Sequence, residues 1–196
     1  MSNNEDPIKK LLLKRTFTLD KIIADTHMLN TIIEISKITY SVIKSGNKIL
    51  LCGNGGSATD ADHLAGELIG RFKNDRNPFP AIVLHQSTAA LTAIANDYGY
   101  EEVFARQVKA LGRSGDLLWA FSTSGKSPNV LKAIEEAKRV EMITVGFTGQ
   151  KGTSMTQLTD FAIVVPSKDT PIIQEMHKII GHIICQLIEE MFLNDS

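Results

Sequence analysis

The sequence predicts an α/β fold: a single doubly wound domain on a five-stranded parallel sheet flanked by helices, with an N-terminal helical extension. Three observations predict it. Five short, almost wholly apolar runs lie at 48–52 (KILLC), 80–84 (PAIVL), 116–121 (DLLWAF), 142–147 (MITVGF) and 161–165 (FAIVV). Strand-length runs without polar alternation are expected where a strand is buried on both faces. Helix-patterned segments separate the runs, and strands alternating with helices imply βαβ units and a parallel sheet. The chain has 196 residues, 43% hydrophobic and 22% charged, which suits one globular domain able to bury a core without disulfides.

Taken in order, residues 8–44 carry apolar side chains at helical spacing: Leu11, Leu12, Phe17, Ile22 and Ile23, then Leu29, Ile32, Ile33, Ile35 and Ile38. A break is expected near 25–27 and a stop at Gly46. Residues 1–45 are therefore assigned to the helical extension and 46–196 to the domain proper. Further helices are expected over 58–72, 88–95, 101–111, 129–139 and 170–192. Right-handed crossovers place the loops that follow the strands on one sheet edge, where ligands bind in such folds. Chemistry is sought just after Cys52, Leu84, Phe121 and Phe147.

Composition narrows the function. Lys and Arg number 21 against 22 Asp and Glu, so no basic excess exists to drive binding to nucleic acid. The longest apolar stretch, near 179–188, is interrupted by Gly181, His182 and Gln186 and is too short for a bilayer. The polar, acidic first seven residues are not a signal peptide. Cys52 and Cys185 lack a C-x-x-C pattern and read as buried, reduced thiols of a cytoplasmic protein.

Two loops carry the clearest chemistry. Gly53-Asn54-Gly55-Gly56-Ser57-Ala58 joins the first strand to a helix, where glycines allow close backbone approach and a helix N-terminus offers free N–H groups. The string fits the dinucleotide fingerprint, but the second strand ends Leu84-His85-Gln86-Ser87, without the carboxylate a nicotinamide cofactor's ribose needs. After the third strand, Ser122-Thr123-Ser124-Gly125-Lys126-Ser127-Pro128 gathers four hydroxyls and a helix start, with Ser127 at the cap and Pro128 first in the helix. This suits the phosphate of a small molecule. A P-loop needs glycine at position 120, which is Ala120.

The titratable candidates are scattered. His63 and Glu67, four apart, share a helix face and fit either a surface pair or a shared ligand. His182 lies among Ile179, Ile180, Ile183 and Ile184, and local context alone makes it a core residue. Gln174 begins the same helix, about 12 Å from His182 along its axis. Asn96 and Asp97, between two short helices, fit either a polar turn or a hold on sugar hydroxyls.

Together, Gly53-Asn-Gly-Gly-Ser57, Asp60-Ala-Asp-His63, Glu67-Leu-Ile-Gly-Arg71-Phe72, Leu91-Thr-Ala-Ile94 with Asn96-Asp-Tyr-Gly99, Phe104-Ala-Arg-Gln107, Ser122-Thr-Ser-Gly125 with Ser127-Pro-Asn-Val130, and Ile173-Gln-Glu-Met-His177 resemble the phosphoheptose isomerase branch of the SIS (sugar isomerase) superfamily. The resemblance spans roughly residues 30–192. It implies a cytoplasmic homotetramer with active sites between subunits, residues 1–45 packing on the domain and the subunit interface. It implies one Zn2+ per subunit, held by His63, Glu67, Gln174 and His182. Substrate contacts would come from Asn54, Gly55, Gly56, Ser57, Glu67, Asn96, Asp97, Ser122, Thr123, Ser124, Ser127 and Gln174. Glu67 and His182 would be the acid/base pair converting sedoheptulose 7-phosphate to D-glycero-D-manno-heptose 7-phosphate through an enediol, the first step of heptose supply for surface polysaccharide such as lipopolysaccharide.

The chain departs from that pattern in two places. Thr-Thr-Asp-Thr-Ser of the family is His85-Gln86-Ser87-Thr88-Ala89 here, and Ala-Arg-Ile-Gln-Glu is Pro171-Ile172-Ile173-Gln174-Glu175, so a carboxylate and a guanidinium are missing. Two other functions are alternatives to this one. One is a non-catalytic SIS-domain adaptor that binds the replication initiator; such proteins lose the catalytic Glu and the last-helix His, which are kept here as Glu67 and His182. The other is an isomerase of a different sugar phosphate.

Overall fold

The computed structural model describes residues 6–195. In chain order the elements are α1 (Pro7–Ala24), α2 (Thr26–Lys44), β1 (Ile49–Gly53), α3 (Gly56–Ile69), β2 (Ala81–Val83), α4 (Thr88–Tyr98), a 3-10 turn (Tyr100–Glu102), α5 (Ala105–Leu111), β3 (Leu117–Phe121), α6 (Pro128–Arg139), β4 (Ile143–Gly149), α7 (Thr153–Leu158), β5 (Phe161–Val165) and α8 (Thr170–Asn194). The sheet is parallel throughout, in the order β2-β1-β3-β4-β5, so β1 and β3 flank the point where the winding reverses.

Strand periodicity sorts the core into two layers. Ile49, Leu51, Leu117, Trp119 and Phe121 face α2, α3 and α8. The alternate residues Leu50, Cys52, Leu118 and Ala120 face α5 and α6. Every residue of β1 and β3 is buried, as their unbroken apolar runs predict. Trp119 packs against Phe147 with ring centroids 5.7 Å apart and the rings tilted by 59°, a packing role. Cys52 and Cys185 are free and buried. No helix among the described residues is long and apolar enough to cross a membrane.

The expected break at 25–27 is a shared cap. Asp25 ends α1, its N–H bonding the Ile22 carbonyl, and its carboxylate accepts from Met28 N at 3.0 Å to start α2. Helix α2 buries Ile32, Ile35 and Val42 in the same cluster as the strands, while much of α1 faces outward. The elements differ from the sequence reading in several places: α3 spans Gly56–Ile69 rather than 58–72, and α4 runs on to Tyr98. The segment 101–111 is a 3-10 turn followed by α5, α7 was not expected, and β4 runs on to Gly149. Helix α7 has only six residues, too few for a periodicity to register.

Helices α3 and α8 lie side by side and run in the same direction. Contacts advance in step from Gly56 with Gln174, through Asp60 with Lys178 and Leu64 with Gly181, to Phe72 with Glu189. Glycine at 181 suits this pairing, because a Cβ there would press on the buried Leu64 side chain, which would have to shift.

Candidate active site

The parallel pairing of α3 and α8 brings His63, Glu67 and His182 to one spot. His63 Nε2 lies 2.6 Å from His182 Nε2 and 3.4 Å from Glu67 Oε1. One ligand atom from each of the three falls within 4.8 Å of the others. His63 is exposed and the other two are half-buried, so the cluster opens to solvent from the surface of the helix pair. Phe72 closes one flank, its ring centroid 5.5 Å from that of His182. Burial, and then the proximity of His63 and Lys178, pushes the His182 pKa below its ordinary value, against the opposing pull of Glu67. A neutral His182 can accept a proton or ligate a metal. Two imidazole nitrogens aimed at one point beside a carboxylate are a donor set that fits a divalent cation such as zinc, with coordination positions left open.

Gln174 sits elsewhere. Its amide packs against Gly56, where a Cβ would collide with it. That is the start of α3, about 10 Å along the helix from His63. Gly56, Asp60, Gln174, Glu175 and Lys178 line a groove of about 290 Å³ there. The structure therefore gathers three of the four metal-ligand candidates and holds Gln174 two helical turns away.

The second centre lies at the ends of β1 and β3. Ser127 caps α6 by position but makes no side-chain cap bond; its hydroxyl instead lies 2.9 Å from that of Ser122. Ser124 Oγ lies 3.5 Å from Ser122 Oγ and accepts from Lys126 N at 3.2 Å. Gly125 turns the loop with φ +62°, and a Cβ there would strike Gly152. The hydroxyls thus converge on one another at the start of a helix whose first turn has no side-chain capping partner from Ser127.

Asn54 joins the two loops. Its amide donates to Asn129 Oδ1 at 2.9 Å and its carbonyl accepts from Asn129 Nδ2 at 2.8 Å, a reciprocal pair. Tyr100 OH adds a bond to Asn54 Oδ1 at 3.0 Å. Asn54, Tyr100, Glu101, Ser127 and Asn129 line a cavity of about 490 Å³. Thr123 and Ser124 face a smaller one of about 110 Å³, with Lys151, Lys168 and Thr170. Gly55 and Gly56 open the N-terminus of α3, and Ser57 is buried behind them, its N–H bonded to the Asn54 carbonyl at 3.0 Å.

Asn96 and Asp97 lie exposed on the last turn of α4, the Asn96 amide donating to Asp97 Oδ1 at 2.8 Å. From that segment it is Tyr100 that reaches the glycine loop. Sequence reasoning missed Tyr100 and Asn129, although both lie inside or beside quoted motifs. Ser87, standing where the family pattern has Asp, caps α4 by accepting from Ala90 N at 3.2 Å, a task either residue performs. His85 Nε2 lies 3.1 Å from Asp62 Oδ2 on the outward side of α3.

The chain is similar to known proteins over nearly its whole length. Residues 18–149 match the SIS domain family. A phosphoheptose isomerase of Nitratiruptor sp. is 52% identical over 185 residues, 94% of this chain and 98% of its own. One from Aneurinibacillus thermoaerophilus is 49% identical over 191 residues, 97% of this chain and 96% of its own. The solved phosphoheptose isomerase of Francisella tularensis superposes with a TM-score of 0.89 at 35% identity, covering 97% of this chain and 100% of that one. That of Neisseria gonorrhoeae gives 0.87 at 34%, covering 93% and 97%. With the fold, the motifs and near-full-length identity in agreement, the chain belongs to the phosphoheptose isomerases of the SIS domain family.

Proposed function

We propose that the protein converts sedoheptulose 7-phosphate to D-glycero-D-manno-heptose 7-phosphate in the cytoplasm, supplying heptose for surface polysaccharide such as lipopolysaccharide. The observation that carries this reading is the meeting of Glu67 with two histidines across α3 and α8, in a chain about half identical to phosphoheptose isomerases.

The chemistry moves one proton between neighbouring carbons. Glu67 takes the proton from C1 of the ketose while the C2 oxygen gains one, giving the enediol. Return of a proton to C2 and loss of the O1 proton give the aldose, so atoms balance with no redox cofactor. His182, whose pKa burial and its cationic neighbours lower, exchanges protons with the two oxygens. The Ser122–Ser127 hydroxyls and the α6 N-terminus hold the remote phosphate, and Asn54 with Gly55, Gly56 and Ser57 shapes the floor between the two centres. Remote binding of this kind keeps C1 and C2 in register with the base. Asn96 and Asp97 hold sugar hydroxyls at the rim.

His63, Glu67 and His182 would hold one zinc per subunit, and bound zinc would supply Lewis-acid polarisation of the substrate carbonyl. The place of Gln174 on Gly56 favours a substrate contact for it over ligation. We assign residues 6–45 of the N-terminal segment to packing on the domain, where α2 joins the core, and to subunit contacts within a homotetramer; residues 1–5 of that segment lie outside the described residues. Leu11, Leu12, Phe17 and Ile23 on α1 and Leu29 and Ile33 on α2 are exposed, a larger apolar display than single surface residues make.

The test is proton NMR of sedoheptulose 7-phosphate with the zinc-loaded protein. Aldoheptose 7-phosphate signals that vanish on chelation and return with zinc are expected. No conversion by folded, zinc-loaded protein overturns the reading and moves the search to other sugar phosphates.

A further inference from the structure

The facing of Glu67 and His182 depends on how far α3 is slid along α8, and beyond the cluster a buried ion pair is bonded to both helices. Glu189 lies seven residues after His182 on α8, two turns along the same face. It is 1% exposed and accepts from the backbone N–H groups of Phe72 at 3.1 Å and of Lys73 and Asn74 at 3.0 Å each, and from the Asn74 amide at 3.0 Å. Its ionic partner, Arg76 Nε, is 3.3 Å away. The rest of that guanidinium turns onto the end of α3. Nη2 donates to the Glu67 carbonyl at 2.8 Å and Nη1 to the Leu68 carbonyl at 3.0 Å. Phe79 supports the guanidinium face at 3.7 Å.

These are carbonyls that a helix end leaves without partners, and a cation there also meets the negative end of the helix. The two helices already share an apolar seam that includes Leu64 and Ile180. A buried ion pair is a weak way to add stability to such a seam, because desolvation offsets its attraction. An apolar seam resists separation far more than it resists sliding. A fork bonded to two consecutive backbone carbonyls and a carboxylate bonded to three consecutive N–H groups both fix position.

We propose that Arg76 and Glu189 are positioning residues, a clasp that sets the register of α3 on α8 and so aims Glu67 and His63 at His182. Neither residue belongs to the His63–Glu67–His182 cluster. Its turnover effect rests on the isomerase reading above; its effect on cation binding does not.

The test compares wild type, Glu189→Gln and Arg76→Lys by two measurements. One is titration with Co2+ alone, followed by absorbance. The other is kcat and KM for sedoheptulose 7-phosphate, with circular dichroism as the check on folding. Expected for both variants are Co2+ binding weakened at least about tenfold, the scale on which outer-sphere groups act, and a similar fall in kcat. KM should stay within about threefold, since the phosphate loop is untouched. Folded variants with unchanged Co2+ affinity overturn the proposal. If the isomerase reading fails, wild type shows no turnover but the Co2+ difference persists. Should Glu189→Gln and Arg76→Lys fail to fold, Asn74→Ala carries the test, because it removes only one side-chain bond to Glu189. A smaller loss of Co2+ affinity is then expected, and none overturns the proposal.

Discussion

Ser122–Ser127 gathers four hydroxyls within six consecutive residues at the end of one strand, whereas His63, Glu67 and His182 come from two helices far apart in the chain. The loop is shaped by its own backbone: a left-handed Gly125, a helix start at Pro128 and a Ser122–Ser127 hydroxyl pair. The cluster has no such local support. It exists only while α3 and α8 keep their register, which Gly181, the Leu64 contact and the Arg76–Glu189 clasp control. The loop therefore depends on distant packing less than the cluster does, although Gly125 rests against Gly152 and Ser122 N bonds the Phe147 carbonyl at 2.9 Å. Substrate holding and proton transfer are correspondingly separable.

The sharpest way to break that separation is Glu67→Gln. It should lower kcat by about 10²–10⁴, the range for losing a general base. Calorimetric affinity for the substrate should stay within about threefold, because the loop still holds the phosphate. A variant turning over near the wild-type rate would remove Glu67 from the mechanism.

Acid should loosen the ground between the two centres. His177 on α8 is fully buried, with its ring edge-on to Phe121 and Phe147 and Nε2 3.2 Å from the Thr148 carbonyl oxygen. Burial depresses its pKa to about 4 from the ordinary 6.5. The unfolded chain therefore binds this proton first. The stability His177 contributes is complete above pH 6.5 and is lost as pH falls toward 4, about 3 kcal/mol in all. Urea unfolding across that window should show the loss, and His177→Gln should flatten it. An equal slope in the variant would assign the effect to other groups.

Gly125→Ala places a Cβ at φ +62° against Gly152 and should cost about 1–3 kcal/mol by denaturant midpoint. KM should rise and Co2+ binding at the histidine cluster should not change; altered Co2+ affinity would show the two centres to be coupled. Ser127→Ala is the mildest. Its hydroxyl does not cap α6, so stability should move by less than about 0.5 kcal/mol while KM rises about tenfold and kcat holds within about threefold. A fall in kcat at constant KM would put Ser127 in the proton-transfer step instead.

Much of this molecule was determined by sequence alone. The strands of the sheet, the glycine and serine loops at their ends and the Asp25 break all follow from neighbours within about four residues, the range over which helix and turn chemistry acts. The His63–Glu67 pair was equally legible as a shared helix face. Only the family resemblance joined it to His182 as a site, since local context assigned that residue to the core. Tertiary structure alone decided the rest: the imidazole meeting across α3 and α8, the withdrawal of Gln174 to Gly56, the Asn54–Asn129 amide pair and the turning of Ser127 away from its cap. Each depends on which surfaces pack and how far one element slides along another. That displacement is fixed by the fit of the whole core and the hydrogen bonds it encloses, and no short stretch of sequence carries it.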